Sequence, residues 1–332
     1  MANQGHEMIL VTGGTGYVGS VLVPRLAREG YKVRVYCSQL FGNSIEGLED
    51  VEFIQGDIRD TTLLDKAMED VTHVIHLAGV VTDELVAMNP SLAYQINVEA
   101  TGELCRIGLS HKISRLVYAS SSSIYGSVDH DVTEDAIPCP ITEYGQMKLD
   151  GEKVIREFRE QFTVTYLRSA TACGPAPRMR LDTIVNIFSK QAWFDHHITV
   201  HGGGQWRSNI HVEDVAKAYH ALLQAAPHLV HDQAFNCTRS NLQALVIAQM
   251  VQSAYETFGG CAIHVDSSKQ DPRNYRLSTQ KLINTLVWYP WRSIYQAIQD
   301  NFTWFQSGGI QEPNSDLYYN NRRMASMMKE GV

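Results

Sequence analysis

Tyr144 and Lys148 stand four positions apart in Glu143-Tyr144-Gly145-Gln146-Met147-Lys148. On a helix that spacing sets both side chains on one face, one turn apart. An ammonium beside a phenol stabilises the phenolate, so Tyr144 could take or give a proton near neutral pH. Alone the pair means little, because the same spacing recurs on solvated helix surfaces. Upstream, Ser120-Ser121-Ser122-Ser123-Ile124-Tyr125-Gly126 follows an apolar run and offers hydroxyls to a substrate; a plain polar loop is the other reading.

A second cluster could bind rather than react. Gly13-Gly14-Thr15-Gly16-Tyr17-Val18-Gly19 follows the apolar run Met8 to Thr12 and precedes an amphipathic run from Val18 to Arg28. Strand, glycine turn and helix in that order make a phosphate cradle, since the helix N-terminus offers unpaired N–H groups and partial positive charge to a pyrophosphate. The spacing is Gly-x-x-Gly-x-x-Gly. A dinucleotide cofactor is expected there.

The elements that must position these groups read as alternating strands and helices. After the first strand come Lys32 to Cys37, Val51 to Ile58, Thr72 to Ala78, Arg115 to Ser120 and Thr163 to Arg168. Helices are expected from Thr61 and from Ser91 to Leu109. Such alternation predicts an α/β fold, a doubly wound parallel sheet whose ligands sit beyond the carboxyl ends of the strands. The serine run and Tyr144 would then face one crevice. The second strand ends at Cys37-Ser38, where an acidic residue would favour ribose hydroxyls and a basic one a 2′-phosphate. Neither is present, so NAD and NADP both stay open. Asp57 either accepts from an adenine amino group or caps the helix from Thr61. Asn97, inside a helix, has the structural role of holding nearby backbone.

Past Arg168 the texture changes. Ala172-Cys173-Gly174-Pro175-Ala176-Pro177-Arg178-Met179-Arg180 reads as a loop crossing away from the sheet. Helices are expected over Leu181 to Ala192, Val212 to Leu223, Leu242 to Phe258 and Ser293 to Gln306. Short strands fit His197 to His201 and Cys261 to Val265, and Gly202 to Arg207 reads as a mobile turn carrying a cation. The tail from Gln311 to Val332 would fray or pack on a partner subunit.

Composition bounds the rest. With 332 residues, 44% hydrophobic and 19% charged, the chain can bury a large core and has room for two lobes. A net charge of −8 gives no electrostatic reason to bind nucleic acid or an acidic membrane. No apolar run is long enough to span a bilayer, and the N-terminus lacks a basic-then-apolar signal. Six scattered cysteines, with no Cys-x-x-Cys, fit a reduced cytoplasmic protein. Without His-Glu-x-x-His, no metal site is expected.

These motifs together resemble the extended short-chain dehydrogenase/reductase family, in its branch of NAD-dependent nucleotide-sugar epimerases and dehydratases. The resemblance runs from Met8 to about Leu282. It rests on Thr-Gly-Gly-Thr-Gly-Tyr-Val-Gly, Gly-Asp-Ile, His-Leu-Ala-Gly, the serine run ending in Tyr-Gly, and Tyr-Gly-Gln-Met-Lys. Cys-Gly-Pro, and Arg207 ahead of Ile210-His211-Val212-Glu213-Asp214, support it.

The resemblance implies a Rossmann domain over 1–170, with segments near 205–238 returning to it, and a smaller C-terminal substrate-binding domain over 171–204 and 239–332. It implies Tyr144 as acid/base, Lys148 as the partner that lowers its pKa and also holds the nicotinamide ribose, both of them beside the cofactor, and Ser121 as the hydroxyl on the reacting sugar oxygen. Gly13, Gly16, Tyr17, Val18 and Gly19 fall at the pyrophosphate, and Asp57 and Ile58 beside adenine. Leu77, Ala78, Gly79, Asn97 and Pro175 fall along the cofactor. Ser122, Ser123, Thr171 and Asn186 fall on the substrate side. Arg207 and Arg273 resemble the cations that bind a nucleotide diphosphate; a surface salt bridge is the other reading of Arg273, in Asp271-Pro272-Arg273.

Departures narrow the chemistry. Ser123 stands where the family's 4,6-dehydratases and decarboxylases carry a glutamate and its 3,5-epimerases a cysteine. The serine loop therefore lacks the acid and base that dehydration needs. The set that remains suits a C4 epimerase working through a 4-keto intermediate, or an NAD(P)H-dependent 4-keto reductase. A dehydratase, a dehydrogenase of a non-sugar alcohol and a non-catalytic dinucleotide sensor are the further alternatives. The expected cofactor is NAD, with NADP open, the expected partner a nucleotide-sugar, and the expected assembly a homodimer.

Overall fold

The computed structural model of the chain describes residues 7–268 and 273–330. The first six residues, on which the missing signal was read, lie outside the described residues. So do Asp271 and Pro272 beside Arg273, and the last two residues of the tail.

Seven strands form one sheet: β1 (Met8–Thr12), β2 (Lys32–Cys37), β3 (Val51–Gln55), β4 (Val71–His76), β5 (Arg115–Ser121), β6 (Thr163–Ser169) and β7 (Gln233–Cys237). Their order is β7-β6-β5-β4-β1-β2-β3 and every pairing is parallel. The order reverses at β1, so the crevice between β1 and β4 opens at the carboxyl edge. Alternation along each strand fills both faces. Ile9, Val11, Val35 and Ile75 enter the core under helices Gly19–Arg28 and Val212–Gln224. Met8, Leu10, Tyr36 and Val74 enter the core on the other face, with Leu64 and Leu104.

A separate core lies C-terminal to the sheet. Val185 and Phe188, Ile247 and Val251, and Ile298 and Phe302 meet there from three helices, Ile184–Lys190, Ala244–Tyr255 and Ile294–Gln306. The parallel pair His197–His201 and Ala262–Asp266 covers it.

Several elements differ from the sequence expectation. Arg207 lies not in a mobile turn but in the strand Trp206–His211, paired on one side with Thr171–Cys173 and on the other with Ser240–Gln243. That pairing takes Leu242 and Gln243 into the strand, so the following helix starts at Ala244. The edge strand β7, the pair Ser127–Val132 and Asn274–Leu277, and the helix Gln280–Leu286 were not anticipated. Over the stretch Ser91 to Leu109 the chain is helical but widens to a π turn at Gln95–Glu99. The helix from Thr61 is capped by Asp60, which accepts from Leu63 N–H at 3.0 Å, so the capping role considered for Asp57 falls to its neighbour.

The described part of the tail folds back on its own chain. Its helix Asn320–Glu330 packs on the chain itself. Leu181 N–H donates to Tyr318 O at 2.9 Å, Tyr319 is buried, and Arg323 Nε reaches Leu40 O at 2.8 Å. Thr82 Oγ1 meets Asn321 Oδ1 at 3.0 Å. The tail thus ties the loop after β2 to the loop after β4.

Candidate active site

The Tyr144 helix spans Glu143–Arg156 and starts with Thr142, whose Oγ1 accepts from Gly145 N–H at 3.2 Å. Glu143 in its first turn suits the positive helix end. Lys148 is buried, with Nζ 2.8 Å from Ala119 O and 5.0 Å from the Tyr118 ring centroid. Burial lowers its pKa to about 8, against the opposing pull of Glu152. Tyr144 is pushed the other way, up to about 12, chiefly by burial; the nearby Ser121 hydroxyl and the Arg180 guanidinium oppose that rise. The phenol is therefore harder to deprotonate than the Tyr–Lys spacing predicts. The lysine spends a donor on Ala119 O, and the desolvation of the phenol wins.

The serine loop faces this helix from the end of β5. Ser121 Oγ accepts from Ser123 N–H at 3.1 Å, and Ser122 Oγ donates to Tyr275 Oη at 3.2 Å. Ser120 Oγ donates to Glu152 Oε1 at 2.5 Å. Glu152 in turn takes two hydrogen bonds from Arg168, at 2.9 and 2.7 Å, with both side chains 7% exposed. Arg168 continues to Tyr125 Oη at 2.9 Å, and Tyr125 donates to Asn236 Oδ1 at 2.8 Å. This buried network joins the Tyr144 helix to β5, β6 and β7 and leaves little freedom between Tyr144 and Ser121. Fully satisfied buried polar networks rigidify what they join.

One cleft of about 700 Å³ runs along the carboxyl edge. Ser121, Ser122, Ser123, Tyr144, Lys148 and Thr171 line its middle. Gly13, Gly16, Tyr17, Val18 and Gly19 line it beside β1, and Leu77, Ala78 and Gly79 beside β4. Cys37, Ser38, Asp57 and Ile58 close the end beyond β2. A methyl group at Gly13 would stand 2.8 Å from Ala78 N, on a backbone with φ of +70°, and one at Gly19 would stand 2.5 Å from Gly14 O. Only glycine lets the loop lie this close to β4 and leave the first helical turn open to the cleft. The site fits a dinucleotide phosphate. At the end of β2, Cys37 Sγ meets Thr15 Oγ1 at 3.0 Å, with neither an acid nor a base in place. Both oxygens of Asp57 take hydrogen bonds from Arg59, at 2.9 and 2.6 Å, which holds its pKa below the usual carboxylate value.

Three expected site residues are not on the cleft wall. Asn97 is buried behind it, with Oδ1 accepting from Val80 N–H at 2.8 Å and Nδ2 donating to Val80 O at 3.0 Å, which holds the loop after β4. Asn186 spends its amide on Gly174 N–H, Tyr17 Oη and Arg180 O. Pro175, next to that contact, also lies off the wall.

Arg207 and Arg273 both reach the cleft. Arg207 is buried and donates to Trp206 O at 2.7 Å and Arg273 O at 2.5 Å. Arg273 pairs with Asp83 at 3.1 Å, a half-buried bridge on the cleft wall rather than out on the surface. Arg178, Arg180, Tyr275, Asn320 and Met324 also line the cleft. Sequence reasoning gave Tyr275, Asn320 and Met324 no place there, whereas the Pro-Arg-Met-Arg loop that carries Arg178 and Arg180 was open to a share of the substrate contact. Two guanidiniums within three residues of the crossing loop were the one available signal. Among the described residues, no group of three or more His, Cys, Asp or Glu could hold a metal ion. No described helix is long and apolar enough to cross a membrane.

The sheet order, the glycine loop after β1 and the Tyr-x-x-x-Lys helix beside β5 define the extended short-chain dehydrogenase/reductase class. The chain belongs to the NAD dependent epimerase/dehydratase family, whose family model matches residues 9–238. It is similar to the UDP-glucose 4-epimerase of Halalkalibacterium halodurans, 28% identical over 93% of this chain and 99% of that protein. The UDP-glucose 4-epimerase of Bacillus subtilis is 26% identical over 90% of this chain and 97% of its own. Among solved structures, UDP-glucuronic acid 4-epimerase from Bacillus cereus, in complex with UDP-glucuronic acid and NAD, superposes with a TM-score of 0.81. It is 24% identical over 90% of this chain and 99% of that one, a likeness of fold.

Proposed function

We propose that the chain is an NAD-dependent nucleotide-sugar epimerase acting at C4 through a 4-keto intermediate. The observation that carries this reading is that Ser121 and Tyr144 line the same stretch of one cleft, whose serine loop offers no carboxyl group. Two hydroxyls meeting there suit one substrate oxygen held and one proton moved. Dehydration needs a further acid and base, and Ser123 is neither.

Bound NAD supplies a reversible hydride acceptor. The glycine loop and the first turn after it hold the dinucleotide phosphates. Tyr144 takes the hydroxyl proton as the sugar alcohol becomes a ketone, and returns it when the ketone is reduced on its other face. Ser121 holds the same oxygen, and Lys148 fixes the Tyr144 helix to β5 through Ala119 O and would hold the nicotinamide ribose. Arg207 and Arg273 take the nucleotide diphosphate, where charge-assisted hydrogen bonds suit. Asn97 supports the wall from behind, and the same holds for Asn186 and Pro175.

This reading assigns 1–170 with 205–238 to the dinucleotide lobe, and 171–204 with 239–332 to the substrate lobe. A homodimer through the Tyr144 helix and its neighbour Ala100–Ser110, where Leu109 is exposed, completes it. Six free cysteines suit a reducing cytoplasm.

The test is incubation with UDP-, dTDP-, GDP- and CDP-hexoses, with products resolved by NMR and the nicotinamide absorbance followed. The C4 epimer should form with no net absorbance change. Steady NADH or NADPH consumption with a 4-keto sugar would favour a reductase and sink the epimerase.

A further inference from the structure

Arg178 belongs to the crossing loop, yet its surroundings come from the dinucleotide half of the cleft. Its backbone N–H donates to Ser20 Oγ at 3.3 Å, which pins the loop to the first turn of the helix after the glycine loop. Its guanidinium lies over Phe41, with Cζ 3.8 Å from the ring centroid. The side chain, 5% exposed, makes one hydrogen bond, from Nη2 to Asn320 Oδ1 at 2.5 Å.

A guanidinium carries five N–H donors in a fixed fork. Here the buried Nε–H has no acceptor among the described residues. No carboxylate pairs with Arg178 among the described residues. Asp182, whose charge is felt at Arg178, is committed to Arg180 Nε at 2.6 Å and to Asn320 N–H at 3.0 Å. Burial and the Arg180 charge together lower the Arg178 pKa to about 9. A buried cation with no ion-pair partner is costly, and an anion within its reach would relieve that cost.

Resting on the dinucleotide reading above, we propose that Arg178 binds the pyrophosphate of the dinucleotide, and that Asn320 of the C-terminal helix orients it. Two independent features converge at one cleft: the first turn of the helix at Gly19, and a guanidinium more than nine-tenths buried, without an ion-pair partner, whose backbone is tethered to Ser20. The tail makes the arrangement a latch. Asn320 holds Arg178, Arg323 holds the loop after β2, and Asn321 holds the loop after β4. Release of the dinucleotide then requires the tail to shift.

The test uses the full chain, stripped of copurified nucleotide, as wild type, Arg178→Met and Asn320→Ala. Each is titrated calorimetrically with NAD, ADP, NADP, UDP and adenosine, and its melting temperature is read without nucleotide. If the wild type fails to bind NAD, the dinucleotide reading itself fails and takes this inference with it. If the wild type binds, Arg178→Met should weaken NAD and ADP by about tenfold or more while adenosine is unaffected. Asn320→Ala should weaken both less and speed NAD release. Without nucleotide, Arg178→Met should melt no lower than wild type, because a buried charge without an ion-pair partner is gone. Unchanged NAD affinity in Arg178→Met would overturn the inference alone. So would a loss confined to NADP, which marks a 2′-phosphate site, or to UDP, which marks the substrate diphosphate. An equal loss for adenosine would reduce Arg178 to a structural role.

Discussion

Lys148 Nζ lies 2.8 Å from the carbonyl oxygen of Ala119, and this bond ties the Tyr144 helix to β5 just before the serine loop. The lysine therefore holds Tyr144 in place as well as supplying charge. Its lowered pKa, about 8, brings its loss of charge close to neutral pH. NAD affinity of the stripped protein should weaken as pH rises through about 8, as the ammonium becomes an amine. Lys148→Met should bind NAD weakly at every pH and lose that step in a titration series.

Removing the phenolic oxygen tests the proton role directly. Tyr144→Phe should lower kcat by about 10²–10⁴-fold, the range of a positioned acid or base, with NAD binding retained. Steady-state kinetics alongside NAD titration separates the two effects. Loss of NAD binding in step with activity would make Tyr144 a binding residue only.

Gly145 offers a test of the distance between the two catalytic elements. A methyl group there would stand 2.7 Å from Ser123 O and 3.1 Å from Pro140 Cβ. Gly145→Ala should push the helix off the serine loop and separate Tyr144 from Ser121. A displacement on the order of 1 Å costs about 10²-fold in rate. The fall should appear in kcat, with NAD affinity nearly unchanged; unchanged kcat would show that the two elements yield without consequence.

The Glu152–Arg168 pair is buried and shared with Ser120 and Tyr125. Removing one partner leaves the other charge uncompensated, so Arg168→Met should cost about 3–5 kcal/mol in denaturant unfolding. Replacing Glu152 by Met in the same chain should recover part of that loss. The recovery distinguishes a stranded charge from lost packing.

Acid should destabilise the fold through its buried histidines. His76 is 1% exposed, bonded to Thr12 Oγ1 at 2.7 Å and Thr101 Oγ1 at 3.0 Å, and burial lowers its pKa from 6.5 to about 3. Burial also lowers His73 to about 4 and His211 to about 3. Below pH 6.5 the unfolded chain takes up protons that the folded chain refuses, so stability falls as pH drops toward the folded values. One such group gives a slope of up to about 1.4 kcal/mol per pH unit. His76→Gln should flatten the slope between pH 4.5 and 6.5 (about two pH units within the window set by this linkage) in urea unfolding, even if the variant starts less stable.

Much of this architecture was legible in the sequence because its determinants are local. Six strands of the parallel sheet, the glycine loop and the Tyr144 helix each follow from neighbouring residues: apolar runs, a turn only glycine can make, a capped amphipathic repeat. Their order along the chain then specified a doubly wound sheet and a crevice at its carboxyl edge. Tertiary structure decided what depends on which distant segments meet. The strand Trp206–His211 exists because Thr171–Cys173 and Ser240–Gln243 lie on either side of it, so the turn read at Arg207 disappeared. Asn186 was drawn behind the wall by Gly174 and Tyr17, and the Tyr144 phenol rose in pKa because burial outweighs a neighbouring charge. The tail closed over the cleft through Arg178, Leu40 and Thr82, which lie 142, 283 and 239 positions from their partners. Backbone torsion and hydrophobic period are properties of consecutive residues and can be read in order; burial and counter-charge belong to the packed chain, and no stretch of sequence carries them alone.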